Sequence, residues 1–439
     1  MLRAKKLLAA LVGCAVGAVG AANGPMDWTP VNTNGAAAWR ASHHAPKGVT
    51  VDAAARKVVF LAEASGLSVG DTVEFVVAGP LSDRSYETML MSCADPADIA
   101  SALEAAGVPR GATVDDAAVR LWPQGERLEC ALRPVGTEET LLLADVMTDR
   151  VDVAAAECPL ARHVVYTGGT RLADGALAAS TNIPCAVFAA YNHAPSALQF
   201  AASLDQSTAY GRFGVKRAFK AGDLVEVALT WDGERRTRDW TCRVSPKACA
   251  MVDAKGTEVF AGAFTDCAQF VREQCLQQRD VYLKLAFAPD TPVSFAAGCA
   301  RFFAQFDGTV ARLNGFADGQ LYAKAFLPEP SWRNRKQRIA QPFEIYPAAD
   351  GAHGRFVFVE EVWDLESEST EPELKPHEHE YRSGEELLKL VSATGRQGDK
   401  MFTAFIILPK DSTVAPALKT VAALRPRINC FYVFDGLEP

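Results

Sequence analysis

The chain has no excess of positive charge. Its 45 lysines and arginines are outnumbered by 53 acids, giving a net charge of −8. Binding nucleic acid through a generally basic surface is thereby excluded as an expectation. Beyond the first two dozen residues no apolar run approaches the ~20 residues of a membrane-spanning helix. No CxxC occurs, so neither a zinc ribbon nor a thioredoxin-type redox pair is supported. No HExxH occurs, and Gly168-Gly169 has neither the spacing nor the following helix of a dinucleotide fingerprint. No P-loop, nucleophile elbow or Ser-His-Asp order is defensible, and no cofactor is expected.

What is present begins with "MLRAKKLLAALVGCAVGAVGAANG". A basic head, an apolar stretch and a small-residue end have the form of a secretory signal. Cleavage after Val19-Gly20-Ala21 is the preferred reading, which makes residues 1–22 the signal peptide. The alternative takes "LVGC" as a lipobox and places a lipid on Cys14. Either way the mature chain is expected to be exported, periplasmic or extracellular.

Of the 11 cysteines, all but Cys14 fall after the signal, at 93, 130, 158, 185, 242, 249, 267, 275, 299 and 430. An even set in an exported chain points to disulfides. At least two bridges are expected, chiefly within the cluster from Cys242 to Cys275.

At 439 residues, with 49% apolar composition, the chain is long enough for two or three globular domains. Residues 23–48 read as a linker or arm, in which His43 and His44 lack a third ligand. Residues 49–235 are β-rich, with a possible division into 49–134 and 135–235. "VTVDAAARKVVFLAEA" reads as two strands, and "DTVEFVVAG", "SYETMLMS", "DAAVRLWPQG", "RLECALRP", "RHVVYTGG" and "LVEVALTWDG" as others. "ADPADIASALEAAG" reads as a helix opened by Asp95 or Pro96, with Ile99, Leu103 and Ala106 on one face and Gly107 at its end. Residues 236–279 read as a loop-like, Cys-rich insertion carrying one helix, "CAQFVREQCLQQR".

Residues 280–439 read as a separate α/β domain. "VYLKLAFAP" is a strand and "PVSFAAGCARFFAQF" a helix. "TVARLNGF" with "QLYAKAFLP", and "QPFEIYP" with "RFVFVEEVWD", are hairpins. "SGEELLKLVSAT" is a helix, and the end is a strand-helix-strand crossover between parallel strands. The fold class is therefore α+β, with mixed β-rich layers in two principal units.

"GPLSDRSYETML" holds the pair Tyr86 and Glu87. In a strand, Glu87 would share a face with Met89 and Met91. A carboxylate there needs an exposed end or a partner such as Arg84 or Arg120. The alternative to this structural reading makes it a general base, with Tyr86 beside it, though a base needs a partner and a cleft and the sequence shows neither.

The stretch "VEFVVAGPLSDRSYETMLMSCADPADIASALEAAGV" resembles the YdjY-type domain family. "HVVYTGGTRL" and "NIPCAVFAAYNHAPSAL" are similar to the later blocks of that family, so the likeness runs over about residues 49–200. It implies a bacterial exported protein, with no catalytic residues to carry over. A ferredoxin label sometimes attached to such proteins does not suit this chain, which lacks the closely spaced cysteines of an iron-sulfur cluster.

Three further groups stand out. Arg333, Arg335, Lys336 and Arg338 form a candidate anion clamp beside Trp332, or a solvated basic face. His377 and His379 alternate around Glu378 and are candidate metal ligands with Glu380 or Asp364, or part of a flexible acidic loop. Asn192 and His193 beside Tyr191 line a pocket or a plain loop.

The functional expectation is a non-enzymatic envelope or periplasmic protein that binds another protein or a surface polymer. The alternatives are a hydrolase of an envelope polymer, pairing Glu87 with Glu360 or Glu361 as acid/base carboxylates, and a metal-binding protein.

Overall fold

The computed structural model describes residues 28–115, 120–151, 158–161, 163–181, 184–204, 206–306, 312–313, 321, 323–326, 343–362, 373–394, 403–428 and 430–435. The protein is α+β, with strands in mixed sheets and short helices between them.

The first unit is a closed barrel of eight strands. In order they are Lys57–Ala64, Leu224–Thr230, Arg127–Pro134, Val164–Tyr166, Leu198–Phe200, Ala186–Ala189, Phe75–Ala78 and Thr88–Ser92. Thr88–Ser92 pairs back onto Lys57–Ala64, through Ala62 with Ser92 and Ala64 with Leu90. Most neighbours are antiparallel; two pairs are parallel. Closure removes open edges, and eight strands leave an interior that side chains can fill. Phe60, Tyr166, Phe188 and Phe200 fill it here, with Phe188 and Phe200 ring centroids 4.8 Å apart.

The two-residue period of a strand sorts the faces. Val58, Phe60, Ala62 and Ala64 point into the barrel core, and Leu61 points out. On the neighbouring strand Val225, Val227 and Leu229 point in. Leu224 and Glu226 point out.

The outward residues have a cover. Residues 23–48 were expected to be a linker or arm, but their described part contains the helix Thr33–Ser42. Asn32 caps it by accepting a hydrogen bond from the Gly35 N–H. Trp39 is buried against Leu61 and Leu224, and its indole N–H donates to Glu226 Oε1 at 2.8 Å. Glu63, fully buried, accepts from the Val31 N–H at 2.6 Å. Burial would raise the Glu226 pKa, but Trp39 and Arg133 together hold it below the usual carboxylate range.

The helix Pro96–Ala105 follows the sequence reading closely. The Asp95 carboxylate accepts from the Ala97 N–H at 2.8 Å, Pro96 stands in the first turn, and Ile99, Leu103 and Ala106 are buried. Gly107 follows in the left-handed region at φ +84°. "DAAVRLWPQG" differs: its described residues, 120–125, make only two isolated bridges, Arg120 with Asp115 and Gln124 with Ala112.

Residues 236–279 are not a loop-like insertion. Thr237–Val244 and Cys249–Asp253 form an antiparallel hairpin and Glu258–Gly262 a third strand. The helix Phe264–Leu276 then leads into Asp280–Phe287, which pairs parallel with Thr237–Val244. With Arg312–Leu313 this makes one five-stranded sheet, so the segment is continuous with the unit that begins at Asp280.

A second five-stranded sheet orders Glu373–Tyr381, Gly354–Val362, Phe343–Pro347, Thr403–Leu408 and Cys430–Asp435. The last two strands are parallel and joined across the helix Ala415–Leu424, as expected. The expected strand "QLYAKAFLP" instead contains the 3-10 turn Ala323–Phe326. The two sheets share one hydrophobic core, running from Trp240 to Val433.

A buried ion cluster ties the barrel to this second unit. Arg127, on a barrel strand, grips Asp280 with Nε to Oδ2 at 2.6 Å and Nη2 to Oδ1 at 2.8 Å. Arg312 Nη1 adds a third contact to Oδ1 at 2.9 Å. Asp280 is only 4% exposed, and Tyr282, two residues on, belongs to the barrel core. Despite burial, the two guanidiniums hold the Asp280 carboxyl below its usual range.

Candidate functional site: a carboxylate pair and a cationic cleft

Tyr86 and Glu87 do not begin a strand. They belong to the 3-10 turn Ser85–Glu87, and the strand starts one residue later at Thr88. Glu87 is therefore free of the strand alternation that would have set it beside Met89 and Met91. Arg84 is its partner, with Nη1 3.3 Å from Oε1, and the same nitrogen donates to the Tyr86 hydroxyl at 2.6 Å. Arg120 is elsewhere, donating to the Thr113 carbonyl at 3.0 Å.

A second carboxylate joins Glu87. The Glu74 N–H donates to the Glu87 carbonyl at 3.0 Å, and the Glu74 carbonyl accepts from the Ala190 N–H at 2.8 Å. Glu74 is 7% exposed. Burial first, and the Glu87 charge second, push its pKa up. Glu87 is also raised, by burial, against the pull of Arg84. Tyr191 closes the group: burial and the two carboxylates lift its phenol to about 12. Its ring meets Phe75 edge-on at 5.9 Å and His193 at 5.7 Å. Glu74 escaped the sequence reading because one charge in "DTVEFVVAG" looks like the exposed face of a strand. The signal was its place just before an unbroken apolar run.

Burial lowers the His193 pKa to about 4, so its ring is neutral near pH 7, with Nδ1 2.9 Å from Ser196 Oγ. Gly168 and Gly169 fulfil the turn expectation: a Cβ on Gly169 would lie 2.4 Å from the Pro195 carbonyl oxygen. Ser68, within Gly66-Leu67-Ser68-Val69-Gly70, is exposed in a turn leading from one strand toward another. It is not on the strand-to-helix bend that a nucleophile elbow needs.

Glu360 stands on a strand of the C-terminal sheet, whereas Glu87 immediately precedes a strand of the barrel. The backbone of Glu361 lies on the same strand, paired with Leu374. Glu360 Oε2 instead meets His377 Nε2 at 2.9 Å. The acidic segment is also not the loop expected over its described part: Glu373–Tyr381 is an edge strand. His377 and His379 do share a face, and both stack on Phe358, at 4.8 and 6.1 Å. Among the described residues no group of three or more potential ligands is arranged to hold a metal ion. Asp364, Trp332, Arg333, Arg335, Lys336, Arg338 and Cys14 lie outside the described residues.

A cleft of about 990 Å³ opens where three strands of the C-terminal sheet end. Its walls include Tyr346, His353, Arg355, Tyr381, Arg382, Leu408, Pro409 and Lys410, with Glu380 as the one carboxylate among the described residues. Arg355 lies over the Tyr346 ring at 3.9 Å and pairs with Glu378 at 3.1 Å. His353 pairs with Asp350 at 3.1 Å. Among the described residues no carboxylate pairs with the side chains of Arg382 or Lys410. Tyr381 is buried beside Thr420, and burial lifts its phenol to about 12. Arg382 and Lys410, without a carboxylate partner among the described residues, join Arg355 to outnumber Glu380 in a wall otherwise largely apolar and aromatic, which suits an anionic group carried on a larger ligand.

Compared with known families, curated proteins and solved structures, the chain matches none. Among the described residues no helix is long and apolar enough to cross a membrane, which says nothing of membrane crossing by strands.

Proposed function

We propose that this is an exported envelope protein, akin to the YdjY-type domain proteins over residues 49–200, that acts by binding rather than catalysis. Its ligand is an acidic segment of a surface polymer or protein partner, held in the cleft of the C-terminal sheet. The observation that carries the reading is the pair Arg382 and Lys410, both in the cleft wall and both without a carboxylate partner among the described residues. Charge attracts the ligand, and the wall of Pro347, Ile407, Leu408 and Pro409 accepts its less polar backbone. Titration calorimetry with poly(glycerol phosphate) and with polygalacturonate tests it. Binding should weaken at least tenfold in the double variant Arg382→Ala, Lys410→Ala and should fall with added salt. Equal binding by the variant and the natural protein contradicts the reading.

A second reading has its own support. Glu74 and Glu87 sit together with raised pKa values, a condition for a carboxyl that donates a proton near neutral pH. It would make the barrel end an acid/base site for polymer hydrolysis. Release of reducing ends from an acidic polysaccharide, abolished in both Glu74→Gln and Glu87→Gln, supports that reading; no release by the natural protein rejects it.

A further inference from the structure

Four buried cysteines converge in the core of the second unit. Cys242 and Cys249 come from the hairpin, Cys267 from the helix Phe264–Leu276, and Cys299 from the helix Val293–Ala304. Each is at most 3% exposed. No disulfide joins the described cysteines. The helix carrying Cys267 lies on the strand carrying Cys242: the Phe270 ring, three residues on from Cys267, stacks at 5.2 Å on Trp240, two residues before Cys242. Simple packing needs only a small apolar side chain at these positions, and four cysteines gathered in one core are more than packing asks.

We infer that Cys242 and Cys267 are the pair that oxidises to a disulfide, fastening the helix Phe264–Leu276 to the sheet beneath it. Strand register favours this pair over Cys242 and Cys249. Cys249 stands opposite Val244, and Cys242 opposite Met251. Cys242 and Cys249 are thus diagonal neighbours, a relation whose Cα spacing of roughly 7–8 Å exceeds the reach of a relaxed disulfide at about 6.8 Å. Cys267 approaches from the helix above and is not bound by that spacing. Hydrogen bonding to Cys242 holds the Cys249 thiol down at about 7 and Cys267 below its usual range, while Cys242 is raised.

The chemistry balances with a small disulfide such as oxidised glutathione. A thiolate from the pair attacks it, giving a mixed disulfide and one glutathione thiol. The second thiol then displaces the other glutathione. One protein S–S bond forms, one glutathione S–S bond is reduced to two thiols, and the two protein thiol hydrogens are carried by the glutathione. Because all three cysteines are buried, the exchange belongs to folding, before the core closes.

The full chain, denatured and reduced, is refolded with oxidised and reduced glutathione, alkylated, and mapped by non-reducing peptide mass spectrometry. A peptide linking Cys242 to Cys267 is expected in the natural protein and in Cys249→Ser, and it should vanish in Cys267→Ala. The natural protein alone decides the matter if a variant misfolds. A dominant link of Cys242 to Cys249 or another cysteine, or alkylated Cys242 in the oxidised refolded protein, overturns the assignment.

Discussion

Glu74 and Glu87 are joined by their own backbones, the N–H of the first to the carbonyl of the second at 3.0 Å, and both carboxyls resist ionising. A group whose pKa is raised on folding binds more protons in the native state than in the unfolded one. Stability therefore falls as pH rises from the ordinary carboxylate value through the raised folded value. Glu74→Gln removes that penalty. The variant should be more stable than the natural protein at pH 7, and the difference should shrink as the pH is lowered to 4. Urea unfolding at the two pH values checks it; a variant less stable at pH 7 contradicts it.

Asp280 is the opposite case. Its pKa is lowered in the fold, so its contribution is present above the unfolded value and lost as pH falls through the folded one. Asp280→Ala strands Arg127 and Arg312 without their carboxylate. We expect a loss of about 3–5 kcal/mol, as for other broken buried pairs. Denaturant unfolding measures it, and resolution of two transitions in place of one would show the barrel and the second unit uncoupling.

Trp39 fastens the helix Thr33–Ser42 to the barrel through both its ring and its N–H. Trp39→Phe keeps most of the apolar contact and leaves Glu226 one donor short, at a cost of about 1–3 kcal/mol. Trp39→Ala adds the cavity, for a total of about 3–5 kcal/mol. Limited proteolysis should cut the Trp39→Ala variant first between residues 28 and 48.

Gly169 has φ +60° and packs against Pro195. Gly169→Ala places a methyl against a carbonyl in a backbone region that L-residues avoid, so it should cost about 1–3 kcal/mol. Gly175→Ala is the control. It has φ +86° but open space around its Cβ, so it should cost less. Thermal melts compare the two.

Where the sequence carried strong local patterns, the elements were legible. The helix after Asp95, the helix holding Cys267 and Cys275, and the parallel strand-helix-strand end all follow periodicity, capping and apolar runs. Barrel closure was not legible, because pairing of Ala62 with Ser92 and of Phe75 with Ala189 depends on contacts far apart in sequence. The strand holding His377 and His379 was hidden by its own chemistry: an edge strand is exposed and charged, and so reads as loop. Glu87 was singled out, yet its geometry was misread, since a three-residue 3-10 turn shifts it off the strand's alternation. Arg382 and Lys410 carry no mark in sequence. They become a pair only where separate strands of one sheet end together.

Equilibrium binding of poly(glycerol phosphate), followed by anisotropy of a labelled chain, tests the central claim most directly. The natural protein should bind, more tightly at 50 mM salt than at 300 mM, and the charge-reversed variant Arg382→Glu, Lys410→Glu should lose binding while melting at the same temperature. Unchanged binding by a folded charge-reversed variant would contradict the account.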